Sequence, residues 1–172
     1  SNMFVIDAAL DYVLQKDVPI VIEATCNQIN QYGGYTGILP KDFSKKVRSI
    51  ATEKGIDHSK IILGGDHLGP NPWRHLSISK AMKNAQVMVK DYVEAGFTRI
   101  RLDASMACKG ENTPSFEEVA RRTSELCMVA EKYAPDLDSI CYVIGTEVPI
   151  PGGETETIDM LQVTSPERLD RT

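Results

Sequence analysis

Apolar positions recur along this chain in two rhythms that alternate four times. Ile6, Ala9, Leu10, Val13 and Leu14 fall at helical spacing, so the chain is predicted to open in a helix. Pro19-Ile-Val-Ile-Glu-Ala-Thr25 follows as a first buried strand. Phe43, Val47, Ile50 and Ala51 predict a second helix from Asp42, stopped by Gly55 where a left-handed residue is wanted. Ile61 to Gly65 is the second strand. A third helix begins near Ser77, with Ile78, Met82, Ala85, Val89 and Tyr92 on one face and Gly96 behind it. In the third strand, Arg99 to Ala104, alternation turns Ile100 and Leu102 toward a covering helix and Arg99, Arg101 and Asp103 to the other side. Ser115-Phe-Glu-Glu118 reads as a capping box that starts a fourth helix. Its predicted buried face is Phe116, Val119, Leu126, Ala130 and Tyr133, and Pro135 ends it. Ile140 to Glu147 is the fourth strand. The remainder, 155–172, is polar with a weak apolar signal at Ile158, Met160, Leu161 and Val163.

Strands near residues 20, 61, 99 and 140 recur about every 40 residues with one helix between each pair, the βα repeat of a parallel sheet. An open doubly wound sheet and a TIM (β/α)8 barrel with about half its units present both fit. The barrel is the expected architecture. No glycine-rich phosphate fingerprint follows the first strand, and all four strand ends carry polar residues: Glu23 and Thr25, Asp66 and His67, Asp103 and Ser105, Thr146 and Glu147. A barrel gathers such residues from every strand at one rim.

With 172 residues, 42% apolar and 25% charged, the chain can bury a real core, and residues 3–172 are expected to form one partial barrel domain. Ser1-Asn2 ahead of Met3 reads as the remnant of an expression tag. A net charge of −5 without a basic stripe argues against nucleic acid as a partner. No apolar run is long enough to span a membrane and no signal segment is visible, so a cytoplasmic location is expected. Cys26, Cys108, Cys127 and Cys141 are too irregularly spaced for a zinc knuckle or a disulfide framework and read as free thiols.

The candidate chemistry centres on Gly64-Gly-Asp-His67, where an apolar strand runs into an adjacent carboxylate and imidazole. Asp66, His67, Asp103 and Glu147 gathered at one rim would make a hard, oxygen-rich site for zinc or another divalent metal, with Asp66 as general base or acid beside it. The plainer alternative has Asp66 orienting a half-buried histidine, and Arg99 or Arg101 neutralising Glu23 or Asp103 inside the sheet. The loop from Cys26 to Gly37 offers amides, hydroxyls and three glycines, suited either to a polar small molecule or to a plain connection.

The runs Ile22 to Gly37, Gly64 to Asn71, Leu102 to Cys108 and Tyr142 to Glu154 closely resemble the non-catalytic subunit family of D-tagatose-1,6-bisphosphate aldolase, the GatZ/KbaZ type, over residues 3–165. Several members of that family carry the label tagatose-6-phosphate kinase, although nothing here resembles a P-loop. The resemblance implies a barrel that supports the class II catalytic subunit of tagatose-bisphosphate aldolase in galactitol, tagatose or N-acetylgalactosamine breakdown, with a sugar phosphate as ligand. More distantly, the same residues are similar to the class II aldolases themselves. That likeness implies Asp66 as catalytic aspartate, His67, Glu147 and Asp103 as metal ligands, and Glu23, Asn27, Asn30, Asn71 and Glu154 as substrate contacts. An independent metal-dependent sugar-phosphate lyase or epimerase is therefore the competing reading.

Two departures stand out. Leu68 follows His67 where the aldolase pattern has glycine, and the aldolases' other histidine ligands and phosphate loops belong to later strands. The family also begins with a strand ahead of the opening helix, so the chain reads as a middle section shortened at both ends. Zinc or another divalent metal is expected in the full-length protein and weak or absent in this fragment. The fragment is expected to be inactive alone and to self-associate through its uncovered sheet.

Overall fold

The computed structural model of the chain describes residues 2–143 and Pro166. Helices and strands alternate throughout: α1 (Met3–Lys16), β1 (Ile20–Thr25), α2 (Pro40–Glu53), β2 (Ile61–Leu68), α3 (Ile78–Glu94), β3 (Arg99–Leu102), α4 (Phe116–Tyr133) and β4 (Cys141–Val143). The strands form one parallel sheet in the order β1-β2-β3-β4. Right-handed crossovers between strands laid down in simple sequence put every connecting helix on the same face. Among the described strands no switch point arises of the kind that gives a doubly wound sheet its ligand crevice.

Burial follows from that arrangement. Ile22 and Ala24, Leu63, and Ile100 and Leu102 point into the helical layer and are nearly inaccessible. Val21, on the opposite face, is 44% exposed. The core between sheet and helices is filled by Leu10, Phe43, Val47, Met88, Tyr92, Phe97 and Leu126. Phe97 stacks against Phe43 at 6.1 Å and lies 4.6 Å from the Tyr92 ring.

Local signals account for most element ends. The Asn2 side chain accepts from the Phe4 N–H to open α1. Pro40 occupies the first turn of α2, and Gly55, at φ 71°, follows that helix in the left-handed conformation the sequence leads one to expect. Three expectations need correction. Leu14 is 56% exposed, because α1 buries only the stripe Ile6, Leu10 and Val13. β2 runs on through Asp66 and His67 to Leu68 instead of stopping at Gly65. The capping box forms by half: Ser115 accepts from the Glu118 N–H at 3.3 Å, but the Glu118 carboxylate turns to Arg121 and Arg122. Two guanidiniums outbid one backbone N–H for that carboxylate. Buried Arg122 also displaces part of the predicted apolar face of α4, leaving Phe116, Val119 and Tyr133 only half-buried.

The four cysteines are free thiols, as their spacing suggests. Cys26 is fully buried, and burial, reinforced by the Asp103 carboxylate, pushes its thiol up to about 12. No helix among the described residues is long and apolar enough to cross a membrane.

Candidate functional site

The sheet face opposite the helices carries two tiers of charge, and the register explains both. In the lower tier Glu23, Gly64 and Arg99 stand side by side on β1, β2 and β3. Gly64 has no side chain, so the Glu23 carboxylate lies across it and pairs with Arg99. A Cβ at residue 64 would stand 2.7 Å from Glu23 Cγ and 2.8 Å from its Oε1. The expected arginine–carboxylate pairing inside the sheet is thus present, and the glycine is what permits it.

We expect Gly64→Ala to fold with stability within about 1 kcal/mol of the parent, since the pair is partly solvated and a side chain can move aside. Its effect should be on coupling. A double-mutant cycle between Glu23→Gln and Arg99→Gln should give a measurable interaction in the parent and none in the Gly64→Ala background. An unchanged interaction would mean that the carboxylate does not need the gap.

The upper tier holds Asp66, His67 and Arg101. Strict alternation would send Asp66 and His67 to opposite faces. Between Gly65↔Ile100 and Leu68↔Leu102, however, β2 carries one more residue than β3, a bulge. His67 takes up the extra length at φ 53°, a left-handed conformation that costs a β-region residue about 1–3 kcal/mol. The result brings His67 Nδ1 to 2.8 Å from Asp66 Oδ2 and 3.3 Å from Arg101 Nη1, while Arg101 Nη1 donates to Asp66 Oδ1 at 3.2 Å. A carboxylate can only accept, so His67 Nδ1 donates its N–H to Asp66. The side chains of Asp66, His67 and Arg101 are 20%, 27% and 27% exposed, so the cluster is partly desolvated but open to water.

The remaining candidates divide. Asp103, 7% exposed, uses Oδ1 to accept from the Ser105 N–H at 2.9 Å and its hydroxyl at 2.6 Å, a local turn at the end of β3. Glu23 is committed to Arg99. Asn27 is exposed and Asn30 buried on the β1–α2 loop, and Asn71 is half-buried in the short 3-10 turn Asn71–Trp73. Glu147 and Glu154 lie outside the described residues.

His67, oriented by Asp66, fits a metal ligand presenting Nε2. Asp103 fits less well, with Oδ1 already accepting two hydrogen bonds. Among the described residues no three of His, Cys, Asp and Glu are placed to hold a metal ion. Zinc held through His67, Asp103 and Glu147 thus depends on Glu147.

Tyr92 belongs with the site although its helical position marks it only as core. Its hydroxyl donates to the Ile29 carbonyl at 2.9 Å and approaches those of Thr25 and Ala24 at 3.3 and 3.4 Å. It fixes the β1–α2 loop from below, and burial drives its ionisation far above the ordinary range.

The family described as D-tagatose-1,6-bisphosphate aldolase subunit GatZ/KbaZ-like matches residues 1–172. The chain is 48% identical to D-tagatose-1,6-bisphosphate aldolase subunit GatZ of Escherichia coli (strain K12) over 167 residues, covering 95% of this chain and 40% of that protein. The subunit of the same name from Escherichia coli (strain SMS-3-5 / SECEC) is 48% identical over 170 residues, covering 97% and 40%. Among solved structures, a probable tagatose 6 phosphate kinase from Sinorhizobium meliloti 1021 superposes with a TM-score of 0.84 at 42% identity, covering 99% of this chain and 40% of that one. The chain therefore spans 40% of the length of these relatives.

Proposed function

Because the chain belongs to the D-tagatose-1,6-bisphosphate aldolase subunit GatZ/KbaZ-like family, we propose that it is part of a non-catalytic subunit that stabilises and activates a class II tagatose-bisphosphate aldolase. The setting would be galactitol, tagatose or N-acetylgalactosamine catabolism, with a sugar phosphate as the shared ligand. In this reading the four strands are a section of a (β/α)8 barrel, supported by the unreversed order of the described strands and by the charged face opposite their connecting helices.

The observation that carries the proposal is the engagement of Asp66. One of its oxygens accepts from Arg101 and the other from His67. With each oxygen already engaged by a neighbouring side chain, this carboxylate is turned toward its own strand ends and not toward a substrate proton. It is well placed to fix the strand ends against each other. The second reading, an independent metal-dependent sugar-phosphate lyase or epimerase, draws on the strained backbone of His67, because strain of this kind gathers at working sites. In that case zinc or another divalent ion would polarise a carbonyl, and His67 would present Nε2 to it.

The test is co-purification of the full-length protein with its candidate aldolase, followed by assay of each alone and together. A stable complex is expected, in which the aldolase is more active and longer-lived, while this protein alone cleaves tagatose 1,6-bisphosphate no faster than a metal-only blank. Cleavage by this protein alone would favour the second reading. Light scattering in the same experiment addresses self-association of the 172-residue chain, which we propose from the exposure of Val21 on the sheet face opposite the connecting helices. An assembly larger than 19.0 kDa is expected, and a stable monomer of that mass would overturn the association.

A further inference from the structure

The β1–α2 and β2–α3 loops enclose a cleft of about 310 Å³ lined by Asn27, Asn30, Tyr32, Gly34, Pro72, Trp73 and His75. None of these residues belongs to the two tiers of charge described above. We propose that this cleft binds an uncharged sugar or polyol.

Its chemistry selects that class. The lining contains no carboxylate, lysine or arginine, so nothing in the wall matches a strongly charged ligand. Tyr32 and Trp73 meet edge to face, with ring centres 6.2 Å apart and planes at 77°. Trp73, 7% exposed, backs the corner, and the exposed Tyr32 ring presents the surface against which the C–H face of a sugar packs. The Asn27 amide and the His75 ring are exposed and make no hydrogen bond among the described residues, so donors and acceptors for hydroxyl groups stand ready beside that corner. A few polar groups set around an aromatic wall is the usual make-up of a small-molecule site, and the volume suits a single hexose or hexitol.

The loop is also ordered in advance. Asn30 Oδ1 accepts from the N–H groups of Tyr32 and Gly34, its amide donates to the Cys26 carbonyl at 3.0 Å, and the Thr36 hydroxyl donates to Gln28 O at 2.7 Å. The loop is moored to α3 by Gln31, which donates to the Asn84 carbonyl at 2.9 Å. Gly34, at φ 55°, lies so close to Gln28 O that a Cβ would stand 2.5 Å from it. So much internal bonding serves to hold the ring of Tyr32, 71% exposed, in a fixed place over the cleft. Holding it there lowers the entropy cost of binding.

Trp73 is the only tryptophan of the chain and forms part of the wall, so no second tryptophan contributes to a fluorescence change produced at this cleft. The protein should be titrated separately with a hexitol, a hexose, a hexose 6-phosphate and inorganic phosphate, with glycerol as the control for bulk solvent effects. Saturation-transfer NMR on the same mixtures covers a complex that leaves the emission unchanged. Saturable binding of hexitol or hexose is expected, weakened about five-fold by Asn27→Ala or His75→Ala as each removes one hydrogen bond to a neutral partner. Both positions are exposed, so these variants keep the fold. Binding of only the phosphorylated sugar or inorganic phosphate would overturn the proposal in favour of an anion site. A response no different from glycerol, or unchanged affinity in both variants, would overturn it as well. The titration needs no aldolase, so its failure would leave the subunit assignment standing.

Discussion

Gly69→Ala is expected to remove a large part of the protein's stability, although it adds a single methyl group. A Cβ at that position would stand 1.6 Å from the carbonyl oxygen of Asp103 and 2.7 Å from its carbonyl carbon. Both atoms are backbone, so no rotamer change relieves the overlap, and the end of β2 would have to move off the end of β3. The adjacent bond, Asp103 N–H to Leu68 O at 3.0 Å, would be lost with it. Overpacking against side chains costs about 1–3 kcal/mol, and contact with a fixed carbonyl belongs above about 3 kcal/mol. That is a large part of the roughly 5–15 kcal/mol that separates folded from unfolded domains. Gly37→Ala is the matched control. Its φ is 72° but nothing lies within 4 Å of the added atom, so only the left-handed penalty of about 1–2 kcal/mol applies. Denaturant midpoints of the two variants decide the matter: equal losses would mean that β2 and β3 do not approach as closely at Gly69 as the structure has it.

That close approach lies just after the bulge, and the pair of features marks where sequence reasoning stopped short. Periodicity places the four helices and the starts of the four strands within a few residues, because burial on one helical stripe or one strand face leaves a direct trace in the order of apolar residues, while the expected end of the fourth strand at Glu147 lies outside the described residues. The same rule would separate Asp66 from His67. It assumes regular pairing, whereas a bulge depends on the register with β3, whose residues begin more than thirty positions later. The Arg99–Glu23 pairing is legible from alternation, whereas Arg101 pairs with Asp66 and not with Asp103, and the part of Gly64 in the first pair is hidden, since a glycine shows its purpose only through the neighbour that fills its space. Tyr92 illustrates a third limit. A helical stripe identifies it as core, while its hydroxyl serves carbonyls of Ala24, Thr25 and Ile29, over sixty residues away. The cleft is similar: Asn27 and Asn30 drew attention through loop composition, but Tyr32, Trp73 and His75 join them only once two loops are folded together.

Arg122→Met tests how those rim loops are held. Arg122 is 3% exposed at its side chain and donates to Glu111 Oε1 at 2.6 Å and to Glu118 Oε1 at 2.7 Å. Glu111 in turn accepts from the Cys108 N–H at 3.0 Å, and the neighbouring Lys109 N–H donates to the carbonyls of Arg74 and Leu76 at 2.8 and 3.0 Å. The buried guanidinium therefore secures the β3–α4 loop, and through it the β2–α3 loop that carries Trp73. Removing it strands Glu111, whose side chain is only 20% exposed. Breaking such a pair costs about 3 kcal/mol, the lower end of the range because both carboxylates keep some water. For a chain of this size that lowers Tm by roughly 6–12 °C.

Arg121→Met supplies the contrast. Arg121 is 56% exposed and shares Glu118, so its loss should leave the melting temperature nearly unchanged. Hydrogen bonds from Arg121 and then Arg122 hold the Glu118 carboxyl down to about 2. The network's contribution is accordingly complete above the unfolded value of 4.5 and fades as pH falls from there toward 2. At neutral pH, Arg122→Met should shift the Trp73 emission and Arg121→Met should not. Adding Glu111→Gln to Arg122→Met should restore part of the lost stability by removing the stranded charge. Equal melting temperatures for the two arginine variants, or no recovery in the double variant, would show that the loops are held by something other than this buried pair.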